Sequence, residues 1–195
     1  MGAPPTKGIS FQEYVALDDA SELRHEYVDG GPFAMAGGTP EHAALVSSVH
    51  LAIGTQIGEP CRAFVESLRV RTPSGKAAYP DVVIVCGSLT RDPEDANTIT
   101  NPNVIVEVLP ESTEAYDRGA KFAHYRSCPS LTEYVLVASQ GRPRIERFVK
   151  RDGVWIIGDD AVAGEVQRLQ SVGVVLDVDA IYRGLLGDDG RVRTL

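Results

Sequence analysis

Tyr79-Pro80-Asp81-Val82-Val83-Ile84-Val85-Cys86 and Asn103-Val104-Ile105-Val106-Glu107-Val108-Leu109 are two apolar stretches that each carry a single carboxylate. Runs this short and this rich in branched side chains read as strands buried on both faces of a sheet. A charged carboxylate in such a strand costs several kcal/mol unless a cation compensates it. The cation can be a lysine or arginine partner, or a metal ion, and either acid taken singly leaves both readings open. As a pair they say more. The two stretches are joined by a loop, as neighbouring strands of one sheet are. Side by side, Asp81 and Glu107 can converge on one point. Hard divalent ions such as Mg2+ take oxygen ligands and often only one or two protein carboxylates. Such an ion is what phosphodiester hydrolysis needs.

Working outward, Asp29-Gly30-Gly31 sits between two β-prone runs (25–30 and 31–36) and signals a hairpin. Ser10 caps a short helix carrying Phe11, Tyr14, Val15 and Leu17. Thr39-Pro40-Glu41 is a helix start, and Leu45, Val49, Ala52, Ile53 and Ile57 continue at helical spacing to about Gly58. Residues 62–72 alternate as one strand, Pro73-Ser74-Gly75 turns the chain, and 87–101 reads as a polar, acidic loop. After Glu107, Ser112 or Thr113 can cap a helix bearing Tyr116, Phe122, Ala123 and Tyr125. Residues 131–138, 144–150 and 154–157 are further strands, the last two paired across Asp152-Gly153. Residues 174–186 read as a short strand and a last helix.

The chain has 195 residues, 43% hydrophobic and 24% charged, which suits one folded domain over 1–195 with its core at about 10–186. Cys61, Cys86 and Cys128 form no C-x-x-C pair, and two of them lie in apolar runs. They read as plain core residues of a reducing, cytoplasmic protein. No apolar run reaches membrane-spanning length, and residues 1–10 lack a signal-peptide apolar region. The net charge of −8 counts against nucleic-acid binding without excluding it, because catalytic acids add negative charge. Two basic groups offset it locally: Arg62, Arg69 and Arg71, and a second of Arg142, Arg144, Arg147, Lys150 and Arg151. Arg69 and Arg71 share a strand face that reads as a solvated face or as one that suits phosphate.

Other chemistries lack their motifs. Ser74-Gly75-Lys76-Ala77 misses the first glycine and the Ser/Thr of a phosphate-binding loop. The histidines (His25, His42, His50, His124) show no zinc spacing; His42, near a helix start, reads either as touching the site or as a surface residue.

Pro80-Asp81 and Glu107 resemble the acidic halves of the PD-(D/E)XK nucleases, although Leu109 stands where the usual lysine would be. Four longer stretches resemble one family within that superfamily, the Uma family of restriction endonucleases. They are His25-Glu26-Tyr27-Val28-Asp29-Gly30, Ala34-Met35-Ala36-Gly37, Leu68-Arg69-Val70-Arg71-Thr72-Pro73-Ser74-Gly75 and Tyr116-Asp117-Arg118-Gly119-Ala120-Lys121-Phe122. The resemblance runs in order from about residue 10 to 160. It implies an α/β fold with a restriction-endonuclease-like core, a mixed β-sheet flanked by helices. It also implies a Mg2+ (or Mn2+) site at Asp81, Glu107 and Glu26, with Lys121 supplied from the helix after the glutamate's strand. The residue-level alternative is that Lys121 only pairs with Asp117 one turn away. Pro110 departs from the family pattern, which has a serine there. The implied activity is hydrolysis of nucleic acid, DNA being the expected substrate, with a homodimer by analogy. The competing reading is a non-catalytic binding or interaction module that keeps the nuclease fold.

Overall fold

The computed structural model describes residues 8–35, 37–110 and 114–195. Ser10 opens α1 (Phe11–Ala20) with a reciprocal capping box, its side chain and backbone bonding those of Glu13. The chain then forms the hairpin β1 (His25–Val28) and β2 (Gly31–Ala34), turned by Asp29 and Gly30, both at positive φ. Thr39 caps α2 (Pro40–Gly54), its hydroxyl accepting from the His42 backbone. This helix ends one turn before Gly58, where the Thr55 hydroxyl folds back onto the last carbonyls.

The run expected as one strand over 62–72 is two strands. Glu66 adopts φ +50° and ends β3 (Cys61–Val65), and β4 (Arg69–Arg71) leaves for a different sheet. Next come β5 (Ala77–Ala78) and β6 (Val82–Cys86). The expected acidic loop is a hairpin of β7 (Arg91–Asp92) and β8 (Asp95–Ile99), and β9 (Val104–Leu109) follows. A winding segment then runs from α3 (Glu114–Tyr116) through a π-helical turn (Asp117–Lys121) into α4 (Phe122–Tyr125). The caps expected at Ser112 or Thr113, and Ala36 of the second family-like stretch, lie outside the described residues. The rest comprises β10 (Glu133–Ala138), β11 (Arg144–Arg151), β12 (Val154–Ile157), β13 (Ala161–Val162), the hairpin β14 (Val166–Leu169) and β15 (Val174–Asp177), and α5 (Val178–Ile181). β11 and β12 pair across Asp152 and Gly153 as the turn signal requires.

These strands form a mixed sheet in the order β12-β11-β10-β9-β6-β3 with β13 beside β11, a second sheet β2-β1-β5-β4-β8-β7, and the β14-β15 hairpin. β9 and β10 run parallel, the π-turn segment making the crossover, and β6 lies antiparallel on the other side of β9. The two decisive stretches are therefore neighbours, with Val82 opposite Val106 and Ile84 opposite Val104. Alternate side chains go to opposite faces. Val82, Ile84, Val104, Val106 and Val108 pack with Leu45, Val49 and Ile53 of α2. Val83, Val85, Ile105 and Leu109 pack with Phe122, Tyr125 and Tyr134. Asp81 and Glu107 have the parity of the second face, toward the π turn. Val106 and Val108, fully shut away, each contribute about 1.5–3 kcal/mol of burial, enough to hold the strand against the unfavourable burial of the Glu107 carboxylate between them.

Cys61 and Cys86 sit directly opposite each other on β3 and β6 and are joined by a disulfide; Cys128 is a buried free thiol. This corrects the reading of plain core cysteines, which a search for closely spaced pairs could not have found. No helix among the described residues is long and apolar enough to cross a membrane.

Candidate active site

The β6–β9 ladder runs out just before Asp81, and its side chain takes over. Asp81 Oδ2 accepts the Val108 backbone N–H at 2.7 Å. Extending the register by one residue puts Asp81 opposite Glu107, at the separation of a cross-strand pair. Glu107 is 3% exposed. Lys121 Nζ reaches its Oε1 at 2.9 Å, yet no hydrogen bond of good geometry is made there.

The π turn delivers the lysine. One extra residue per turn rotates Lys121 inward, and single π turns are frequent at functional sites. Lys121 is buried and touches three carboxylates: Glu107, Glu26 Oε1 at 3.3 Å and Asp117 Oδ1 at 3.3 Å. Pairing with Asp117 is thus real, but it belongs to this buried cluster and not to a helix surface. Glu26, brought in on β1 of the second sheet, is buried as well. Its Oε2 accepts from Lys76 Nζ at 2.6 Å and from the Tyr116 hydroxyl at 2.9 Å, and Lys76 also bonds the Tyr116 hydroxyl.

Electrostatics separate the two glutamates. Burial pushes Glu107 up to about 8; Lys121 opposes this, while Asp81 and Asp117 add to it. Burial acts the same way on Glu26, but Lys121 and Lys76 outweigh it and hold that carboxyl at about 2. Lys121 itself is raised, because its carboxylate partners exceed the penalty of burial. Burial lowers Lys76 despite Glu26. The cluster is short of positive charge: Glu26, Asp81, Glu107 and Asp117 face Lys76 and Lys121. An oxygen donor set with a buried Glu107 oxygen lacking a hydrogen bond fits a divalent cation.

On the far side of Asp81 stands His42, whose Nε2 lies 3.3 Å from Asp81 Oδ2. Of the two readings of His42, this contact favours the one beside the site and corrects the surface one. Burial lowers its pKa, but the hydrogen bond and charge of Asp81, with Glu66 beyond, raise it overall. Ligand atoms of His42, Glu66 and Asp81 all lie within 4.8 Å of one another. Sequence reasoning missed Glu66, Lys76 and Tyr116. Lys76 directly follows the family-like stretch 68–75, and no motif around it marks it as a site residue.

Arg69 and Arg71, read as facing either solvent or phosphate, are paired with acids of the chain itself. Arg69, 3% exposed, bonds Asp18 at 2.7 Å, Asp19 at 2.9 Å, Asp95 at 2.6 Å and the Tyr79 hydroxyl at 2.9 Å. Arg71 pairs with Asp92 and Glu94. In the second group Arg147 is buried against Glu133.

A mixed sheet flanked by helices, with a carboxylate pair at the ends of adjacent strands and a lysine from the following helix, defines the restriction-endonuclease-like class. The family model Uma2, described as "Putative restriction endonuclease", matches residues 11–178, and the chain belongs to that family. It is 34% identical over 184 residues to the uncharacterized protein slr1290 of Synechocystis sp., covering 93% of this chain and 95% of that one. A second uncharacterized Synechocystis protein, sll1609, is 28% identical over 155 residues, with 78% and 87% covered. The fold resembles the crystal structure of "a putative nuclease belonging to DUF820" from Anabaena variabilis, with a TM-score of 0.66 at 17% identity over 85% of this chain and 93% of that one.

Proposed function

We propose that this chain is a metal-dependent nuclease that hydrolyses phosphodiester bonds of DNA from one domain spanning 1–195. The observation that carries the reading is the meeting of Asp81, Glu107 and Lys121, from two adjacent strands and the crossover helix, at one end of the main sheet. Asp81 and Glu107 would hold Mg2+ or Mn2+, with Glu26 close behind through Lys121. When bound, the ion supplies an activated water and neutralises charge on the phosphate. Glu107, pushed up by burial, gains most from such a cation and would release its proton to solvent on binding it. The Lys121 ammonium, held among three carboxylates, is placed to hydrogen-bond a phosphoryl oxygen or the attacking water. Lys76 and Tyr116 fix Glu26, which in turn fixes Lys121.

A DNA substrate suggests a cytoplasmic protein, and cutting both strands suggests a homodimer; the cysteines no longer argue for the first. One observation favours a non-catalytic binding module instead: Lys121 is already fully paired by carboxylates. Metal addition separates the two. Millimolar Mn2+ should raise the melting temperature of the wild type by mass action and switch on cleavage of DNA, while Asp81→Asn, which can still accept the Val108 N–H, should fold and show neither. A melting temperature and a DNA substrate both untouched by Mn2+ would leave the module.

A further inference from the structure

We propose that His42 and Glu66 complete, with Asp81, a divalent-metal seat of mixed nitrogen and oxygen donors, and that the nitrogen makes it select a first-row transition ion such as Co2+ over Mg2+. The proposal rests on the metal-dependent reading above and adds two donors and a metal class to it. Its basis is convergence from three separate segments. Asp81 comes from the residue before β6, His42 from the first turn of α2, and Glu66 from the turn after β3.

His42 and Asp81 are each held by groups outside the trio, Asp81 by the Val108 N–H, and Glu66 is tied to Asp81 through the backbone. The Thr39 cap pins the His42 backbone. A glycine clears the space for its ring, since a Cβ at Gly38 would stand 2.8 Å from His42 Nδ1. With Nδ1 against Gly38, Nε2 points to Asp81. The Glu66 backbone N–H bonds the Asp81 carbonyl at 3.1 Å, and among the described residues its exposed carboxylate has no hydrogen bond or ion pair. A His–Asp pair alone would need no third acid. The 4.8 Å spread closes to the roughly 3 Å between adjacent ligands of an ion at about 2.1 Å once the exposed Glu66 side chain turns inward. Imidazole adds little for Mg2+, which wants oxygen, and much for Co2+, Ni2+ or Zn2+.

The experiment is calorimetric titration of Co2+ and of Mg2+ into the wild type, His42→Ala, Glu66→Gln and Asp81→Asn, with NMR of the Co2+-loaded protein. The wild type should bind Co2+ more tightly than Mg2+ and show a paramagnetically shifted imidazole N–H resonance. His42→Ala should lose that resonance and weaken Co2+ by at least roughly tenfold, with little change for Mg2+, while Glu66→Gln weakens both ions. Gly38→Ala, which pushes the ring aside without removing a donor, should imitate His42→Ala, and it serves if His42→Ala fails to fold. Binding that vanishes in Asp81→Asn but is unchanged in His42→Ala and Gly38→Ala, with no shifted imidazole, would overturn this inference and leave the metal reading standing. A wild type that binds neither ion would overturn both.

Discussion

Lys121 and Glu107 form the most consequential contact in the molecule because both are buried and neither is balanced by the other alone. Removing the lysine leaves Glu107, Asp117 and Glu26 crowded without their shared cation. Lys121→Met, which keeps the volume, should therefore lower stability by about 3 kcal/mol above about pH 8, where Glu107 is ionised, the range for breaking a buried ion pair. Adding Glu107→Gln should restore much of it, since the neutral amide removes the charge that burial and the neighbouring acids oppose most. Chemical denaturation of the single and double variants checks this; a double variant no more stable than Lys121→Met would mean that Glu107 is not the acid Lys121 compensates.

At the scale of elements, the π turn decides where Lys121 points. Deleting Ala120, exposed within that turn, should restore ordinary helical winding and swing Lys121 by about 100° away from the carboxylates. Circular dichroism should show a folded protein, with a lower melting temperature and no metal-dependent cleavage; unchanged melting and cleavage would mean that the winding does not place the lysine. Such winding is not written in residues 116–122 in any local code, whereas other elements were legible. Asp29-Gly30 and Asp152-Gly153 need positive φ and so announce their hairpins, and the apolar runs around Asp81 and Glu107 declared buried neighbouring strands. The break between β3 and β4 was hidden because Glu66, not glycine, takes the positive φ. The β7–β8 hairpin was hidden because its strands are polar and exposed on one side. The sequence leaves His42 between a site and a surface reading, since the acids beside it arrive from residues 66 and 81, far along the chain.

Over the whole molecule, Arg69 ties three distant segments together: α1 through Asp18 and Asp19, β8 through Asp95, and Tyr79 just before β6. This clamp holds the second sheet against α1, and it keeps the Arg69 guanidinium buried among acids. Burial would raise Asp18, but the Tyr79 hydroxyl and Arg69 outweigh it and lower its carboxyl; Asp95 is lowered in the same way by Thr98, the Asn97 N–H and Arg69. Groups with depressed folded-state values contribute stability that is fully present above the unfolded aspartate value of about 3.9 and fades as pH falls toward the folded ones. Melting temperature should accordingly drop below about pH 4 in the wild type, and less steeply in an Arg69→Met variant that is already less stable at neutral pH. Parallel acid limbs would show that Arg69 is not what depresses these carboxyls.

The account stands most directly on turnover. Plasmid cleavage by the wild type, Asp81→Asn and Lys121→Met, each confirmed folded and assayed at saturating Mn2+, measures it. The predicted result is cleavage by the wild type, none detectable with Asp81→Asn, and a rate lower by roughly two to three orders of magnitude with Lys121→Met, the loss typical of one charge-stabilising donor. Equal rates in all three proteins, or a metal-loaded wild type that leaves DNA intact, would contradict it.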